Sequence, residues 1–297
     1  MSSRIFVAGA TGVLGRRAVP ALVDAGHLVT ANVRSDDARR LVESYGAAAT
    51  TVDLFDPEAT RRLGDDHDTI VNIATAIPTG ASAARRSGWA VNDRLRTEAA
   101  DNLAAAVARP GGRYVGESIT FPYVDRGDDW IDERVATSYF WGNESSRHAE
   151  AAAASVTAAG GVGTALRFAM FFADDSAHVA TFRTVAKGGV LSLPGAADGY
   201  FSWVHVDDAA AAVVAAVEGP AGLFNVAEPE PARRADHAAA LAAALGRRSL
   251  RLIPSPVARA AGAGLTSLAR SQRISSDAFA SATGWEPRRR VVDAWGG

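Results

Sequence analysis

The residues with the plainest chemistry are three glycines at a spacing of three, in Gly9-Ala10-Thr11-Gly12-Val13-Leu14-Gly15. That spacing suits a pyrophosphate. Gly9 permits a tight turn, Gly12 lets a phosphate approach bare backbone, and Gly15 lets a helix lie close to the preceding strand. An apolar run, Ile5-Phe6-Val7-Ala8, comes before the glycines, and an amphipathic run from Arg16 to Ala25 comes after. Strand, glycine turn and helix are the context a dinucleotide fingerprint requires. The helix start adds free N–H groups and a positive dipole end. Gly9, Thr11, Gly12, Val13, Leu14 and Gly15 are therefore candidate cofactor-binding residues.

The end of the second expected strand, Leu28 to Val33, bears on which dinucleotide is bound. A carboxylate there would bind the ribose hydroxyls, whereas an arginine accommodates a 2′-phosphate. This chain has Arg34 and Ser35 at that place, and its first carboxylates, Asp36 and Asp37, fall at a helix start. A guanidinium makes forked, charge-assisted contacts with phosphate. NADP(H) is favoured over NAD(H). The alternative is that Arg34 is solvated and Asp36 reaches the ribose.

Other chemistries are excluded by composition. There is no cysteine, so no thiolate nucleophile, disulfide or cysteine-ligated metal. The histidines His27, His67, His148, His178, His205 and His237 show no ligand spacing, so no metal is expected. The net charge of −2 gives no field to recruit nucleic acid. No apolar run is long enough to span a membrane. The first strand begins at once, leaving no room for a signal peptide. A cytoplasmic protein with a small-molecule substrate is expected.

The elements that must position these residues alternate. Expected strands at Ala48 to Val52, Thr69 to Ile73, Arg113 to Val115 and Val162 to Phe168 are separated by helical segments. The longest of these run from Trp89 to Ala108 and from Glu144 to Ala159. Such alternation predicts an α/β fold of Rossmann type, a doubly wound parallel sheet with helices on both faces. Residues 1–170 are expected to form the dinucleotide-binding domain, with the chain returning to it near 201–218. Residues 171–297 are expected to form a smaller substrate-binding α/β domain. Within it, Phe171 to Gly188 reads as a helix, and Asp207 and Asp208 start another as helix-capping acids.

At this point the chain resembles the extended short-chain dehydrogenase/reductase superfamily, the group of nucleotide-sugar epimerases and dehydratases. The resemblance rests on the glycine loop, on Asp53-Leu54, and on Asn72-Ile73-Ala74. It continues in Leu166-Arg167-Phe168, in Trp203-Val204-His205-Val206-Asp207-Asp208, and in Gly284-Trp285-Glu286-Pro287. It implies that Asp53 and Leu54 meet the adenine, and that Ile73, Ala74 and Thr75 line the cofactor.

The resemblance also exposes a departure. The superfamily donates a proton through Tyr-x-x-x-Lys, where the ammonium lowers the tyrosine pKa from about 10. Lys187 is the only lysine here, and the residue four before it is Arg183. The family often reads Tyr-x-x-x-Lys-x-x-x-Glu. Counting back from Glu150 puts the lysine place on Ser146 and the tyrosine place on Gly142. Tyr139 lies about one turn earlier and is a candidate proton donor; the alternative is a ring that covers the helix start. Ser118, Thr120 and Tyr123 follow the fifth strand as further candidate catalytic or pocket residues, with hydroxyls that could equally cap local backbone. Glu117 stands where a small hydroxyl residue is common. The helix from Trp89 is about a turn longer than the family pattern, which leaves Asn92 open as a cofactor contact.

These features together predict an NADP(H)-dependent oxidoreductase of a small, apolar carbonyl or enone substrate. The apolar substrate is inferred from the aromatic residues after strand six, Phe168 to Phe172 and Tyr200 to Trp203. Two alternatives stay open: a cofactor-binding sensor without redox turnover, and a non-redox lyase or cyclase on the same scaffold. A homodimer through the two long helices is the family-level expectation.

Overall fold

The computed structural model describes residues 2–296. Fifteen strands occur among them. The first five are β1 (Arg4–Ala8), β2 (Leu28–Asn32), β3 (Ala48–Thr50), β4 (Thr69–Asn72) and β5 (Arg113–Ile119). Next come β6 (Trp130–Ile131), β7 (Val162–Phe168), β8 (Met170–Phe172), β9 (Val190–Pro194) and β10 (Tyr200–Phe201). The last are β11 (Trp203–His205), β12 (Gly222–Val226), β13 (Ala232–Arg233), β14 (Arg251–Ile253) and β15 (Arg273–Ile274).

Seven of them form one sheet in the order β12-β7-β5-β4-β1-β2-β3. Every neighbouring pair in it is parallel. The chain winds outward from β1 to β3 and then crosses back to β4. The order therefore reverses between β1 and β4, and ligands of open α/β sheets bind outside the carboxyl ends at such a reversal.

Helices cover both faces. On one side α1 (Gly15–Asp24) packs against α9 (Val206–Glu218), and Ala18, Val19, Leu22, Ala209 and Val213 are buried in the same core as Ile5 and Val7. On the other side α6 (Ala100–Ala106) packs against α7 (Ser146–Ala158), over Phe6, Ile70 and Tyr114. The small side chains of α6 and α7 let these helices come close to the sheet. Residues after 205 thus rejoin the first layer: α9 covers it and β12 extends its edge. A third core forms around Phe172, Leu241, Trp203 and Trp295.

The structure corrects two expectations. The segment from Phe171 does not start as a helix. Met170–Phe172 is β8, paired in parallel with β11, and the helix α8 spans only Ala177–Lys187. Bulky rings fit a pleated, half-buried surface, and Ser176 sets the helix start by accepting the N–H of Val179. The aromatic residues that suggested an apolar pocket are mostly core instead. Phe168, Phe172, Phe201 and Trp203 are buried, and Trp203 meets the rings of Phe172, Phe182, Phe201 and Trp295.

Candidate cofactor and active site

The glycine loop is packed tightly against the end of β4. Gly9 has a φ of +89°, and a Cβ there would lie 2.6 Å from the carbonyl carbon of Ile73 and 2.7 Å from the nitrogen of Ala74. A Cβ on Gly15 would lie 2.2 Å from the carbonyl oxygen of Gly9. Only glycine satisfies both positions. The N–H of Ile73 donates to Ala8 at 3.0 Å, so the Ile73–Ala74–Thr75 segment runs beside the loop. Thr11 and Gly12 are exposed, Val13 is half-buried, and Leu14 and Gly15 are buried. Leu14 caps α1 with no side-chain bond, and the N–H groups of Gly12, Arg16 and Arg17 are bonded within the turn, to the carbonyls of Gly9, Gly12 and Leu14.

The surface past the ends of β2 and β3 is polar and open. Arg34 is exposed just past β2 and makes no ion pair among the described residues, whereas Asp37 pairs outward with Arg40. Ser35 caps the helix α2 (Asp36–Ser44), its Oγ accepting from the N–H of Ala38 at 3.2 Å. Asn32 is bonded in both directions to Val52, which fixes the spacing of β2 and β3. Asp53 is exposed, accepting from the N–H of Phe55, and Leu54 is buried in the second core. These residues fit a dinucleotide. Gly9 and Gly15 pack directly on backbone and so fix the shape of the loop, Gly12 leaves bare backbone exposed at its tip, and the buried Arg16 Nε at the start of α1 has no partner among the described residues.

The other side of the crevice is organised by two buried charge networks. In the first, Ser118 Oγ donates to Glu150 Oε1 at 2.7 Å. Arg167 holds both oxygens of Glu150 at 2.7 Å and donates through Nη1 to the Tyr123 hydroxyl at 2.7 Å. Tyr123 in turn donates to Asn225 Oδ1 at 2.8 Å. Burial pushes the Tyr123 hydroxyl up to about 12, although Arg167 pulls the other way. Burial also works against the charge of Arg167, yet Glu150 and Tyr123 hold it above its ordinary value. The Ser118 and Tyr123 hydroxyls are thus committed to internal partners, and Thr120 is buried beside them.

The second network is absent from the sequence reading. Arg96 grips Glu117 with Nε to Oε2 at 3.2 Å and Nη2 to Oε1 at 2.6 Å. Both are buried at the carboxyl end of β5. Arg96 sits in a single π turn, Leu95–Ala99, between α5 (Ala90–Arg94) and α6. Such turns break the spacing of an ordinary helix. The over-long segment from Trp89 was the only signal of it.

Around the place of the absent Tyr-x-x-x-Lys, the chain is closed. Gly142 is buried, and a Cβ on it would lie 2.6 Å from Cε2 of Phe140. Ser146 is fully buried, with Oγ donating to the carbonyl of Asn143 at 2.8 Å. Tyr139 is half-buried, with the guanidinium carbon of Arg147 5.2 Å from its ring centre.

Two other expected sites have settled roles. His205 caps α9, accepting from the N–H of Asp207. Asp207 and Asp208, expected as caps, lie inside the first turn instead, and Asp208 accepts from the N–H groups of Arg288 and Arg289, which pins the C-terminal segment. Among the described residues no cluster of acids and histidines could hold a metal, and no helix is long and apolar enough to cross a membrane.

Comparison with known proteins agrees with this geometry. The NAD(P)H-binding family matches residues 9–220. A 3-diazoavenalumate denitrifying reductase from a Streptomyces species is 32% identical over 297 residues, covering 96% of each chain. Among solved structures, UDP-N-acetylglucosamine 4-epimerase from Bacillus cereus shares the fold at a TM-score of 0.75. It is 19% identical, over 99% of this chain and 97% of that one. A human epimerase family protein bound to NADPH gives 0.73 at 20% identity, over 99% and 98%. With the glycine loop, the parallel sheet and a reductase relative matched over nearly its whole length in agreement, the chain belongs to the NAD(P)H-binding family.

Proposed function

We propose that this protein is an NADP(H)-dependent reductase that acts on a small aromatic diazo compound and uses no protein proton donor of the Tyr-x-x-x-Lys kind. One observation carries the reading. Glu150 is fixed by Arg167, and the residues eight and four before it, Gly142 and Ser146, have no proton to donate to a substrate. The Ser118 and Tyr123 hydroxyls are engaged as well. The relative at 32% identity is named for a diazo substrate and for reduction with loss of nitrogen.

Bound NADPH would supply a hydride. A carbonyl acceptor needs a proton along with it; a diazonium carbon does not. There the new C–H bond takes the hydride pair, the C–N bond breaks, and its pair leaves with dinitrogen, so charge and atoms balance without a proton. The glycine loop and the start of α1 would hold the pyrophosphate, and Arg34 the 2′-phosphate. The Arg96–Glu117 pair keeps the floor of the crevice neutral overall.

The test is titration with NADPH and NADH, on wild type and on Arg34→Ala, followed by turnover with an aryl diazonium salt and with a panel of aldehydes, ketones and enones. NADPH should bind more tightly than NADH, and Arg34→Ala should weaken NADPH selectively. Nicotinamide oxidation should track dinitrogen release. Oxidation by carbonyls alone would overturn the substrate class. Tight NADPH binding with no turnover on either set would favour the sensor reading.

A further inference from the structure

Charge is unevenly spread along this chain. Between residues 237 and 276 there are six arginines and no acid, which leaves −8 for the rest of a chain whose total is −2. Part of that stretch folds into one corner. The helix α10 (Arg234–Ala244) ends just before Arg247 and Arg248, and Arg251 opens β14. β14 lies parallel to β9, with Arg251 beside Val190, and the N–H of Arg251 donates to the carbonyl of Gly189 at 2.9 Å. Arg247 donates through Nη1 to the carbonyl of Lys187 at 2.8 Å. Lys187, the only lysine, is the last residue of α8. Four cations therefore gather around the Gly188-Gly189 turn.

Helix ends explain only part of this. Cations suit the carbonyl ends of α8 and α10, and Arg247 is committed to the last carbonyl of α8. Arg248 and Arg251 lie on a turn and a strand, beyond the last helical turn, where the dipole has faded. Lys187, Arg247, Arg248 and Arg251 are all exposed, and none forms an ion pair among the described residues. Like charges held together repel and cost stability, and an anionic partner would relieve that cost. β9 and β14 form a ribbon of their own, apart from the seven-stranded sheet that carries the glycine loop. The corner is thus built on different elements from the cofactor loop.

The kind of anion follows from the company these cations keep. Residues 237–276 include no Phe, Tyr or Trp, so they offer no rings to stack on bases or to anchor in a lipid interface. Of the exposed large apolar side chains, only Val185 lies on α8, and none lies on β9, on β14 or in the turn before it. Guanidinium forks pair in plane with carboxylates. We propose that Lys187, Arg248 and Arg251 form a docking surface for an acidic protein, gripping carboxylates on its surface. The negative charge of the rest of the chain turns this corner toward such a partner as the two approach. Docking there needs no bound cofactor.

The experiment sets three probes against the full chain at low and physiological salt. They are a helical peptide with glutamates along one face, vesicles of equal parts phosphatidylglycerol and phosphatidylcholine, and a DNA duplex. The variant combines Lys187→Ser, Arg248→Ser and Arg251→Ser; Arg247, which caps α8, stays. Wild type should bind the peptide. The triple variant should bind it about tenfold more weakly, as the loss of three exposed pairs implies, with a shallower salt dependence. It should melt no lower than wild type, because three mutually repelling charges are gone. No peptide binding by wild type, or equal binding by the folded triple variant, would overturn the proposal. A triple variant that melts well below wild type would assign the cations to the fold and overturn it too. So would vesicles or duplex held as tightly as the peptide, or low-salt self-association that the triple variant abolishes. Those results would make the partner a lipid surface, a nucleic acid or a second copy of this chain.

Discussion

Replacing Glu117 by glutamine should be among the most damaging conservative changes in this protein. The Arg96 and Glu117 side chains are 2% and 6% exposed, and they meet through two bonds. Glutamine keeps an oxygen for Nη2 but removes the charge, and it leaves a guanidinium uncompensated in a buried site. Breaking one side of such a pair costs about 3–5 kcal/mol. The retained hydrogen bond argues for the lower end. At about 2–4 °C per kcal/mol for a large domain, the melting midpoint should fall on the order of 6–12 °C. The paired replacement Arg96→Met with Glu117→Leu removes both charges and should recover most of that loss. Thermal and urea denaturation at pH 7, read as a double-mutant cycle, would decide it. A loss under about 1 kcal/mol in Glu117→Gln, or a double variant that only adds the two single losses, would refute the buried-pair argument.

Three further outcomes are expected. Tyr139→Phe should turn over within about twofold of wild type; a loss of about a hundredfold, the scale of general acid catalysis, would restore Tyr139 as the proton donor. Gly15→Ala should destabilise the protein by about 1–3 kcal/mol and weaken NADPH, because the added carbon is more than an ångström inside ordinary contact with the Gly9 carbonyl and only backbone can yield. Glu228 gives a pH signature: burial raises it from 4.5 to about 8, against the N–H groups of Val291 and Trp203 that it accepts. The folded chain then keeps a proton that the unfolded chain has lost, so stability should fall as pH rises from about 4.5 to 8 and level off above. Glu228→Gln should flatten that slope, and matching slopes in melts from pH 5 to 9 would reject the assignment.

Much of the fold was legible because its signals are local. The buried strands β1 and β4 are apolar runs, and the glycine spacing declares the turn that follows β1. The family resemblance rested on motifs of the same short reach. What escaped depends on partners far along the chain. β6 exists because Trp130 and Ile131 find Arg273 and Ile274. β8 exists because Met170–Phe172 finds Trp203–His205. A bare aromatic run does not say whether it will line a pocket or fill a core, and here it fills one. Arg96 was hidden for another reason. A single extra residue in a helix shifts the face of every later side chain, and here it turns Arg96 inward onto Glu117.

The order of the main sheet also bears on how the chain is made. β7 is complete by Phe168, but its outer neighbour, β12, is not encoded until residues 222–226. During synthesis the nascent sheet presents an unpaired edge while the stretch between is still being translated. Any truncation between 170 and 221 would make that transient edge permanent. Such fragments should stick to one another or to chaperones rather than survive as a free dinucleotide-binding module.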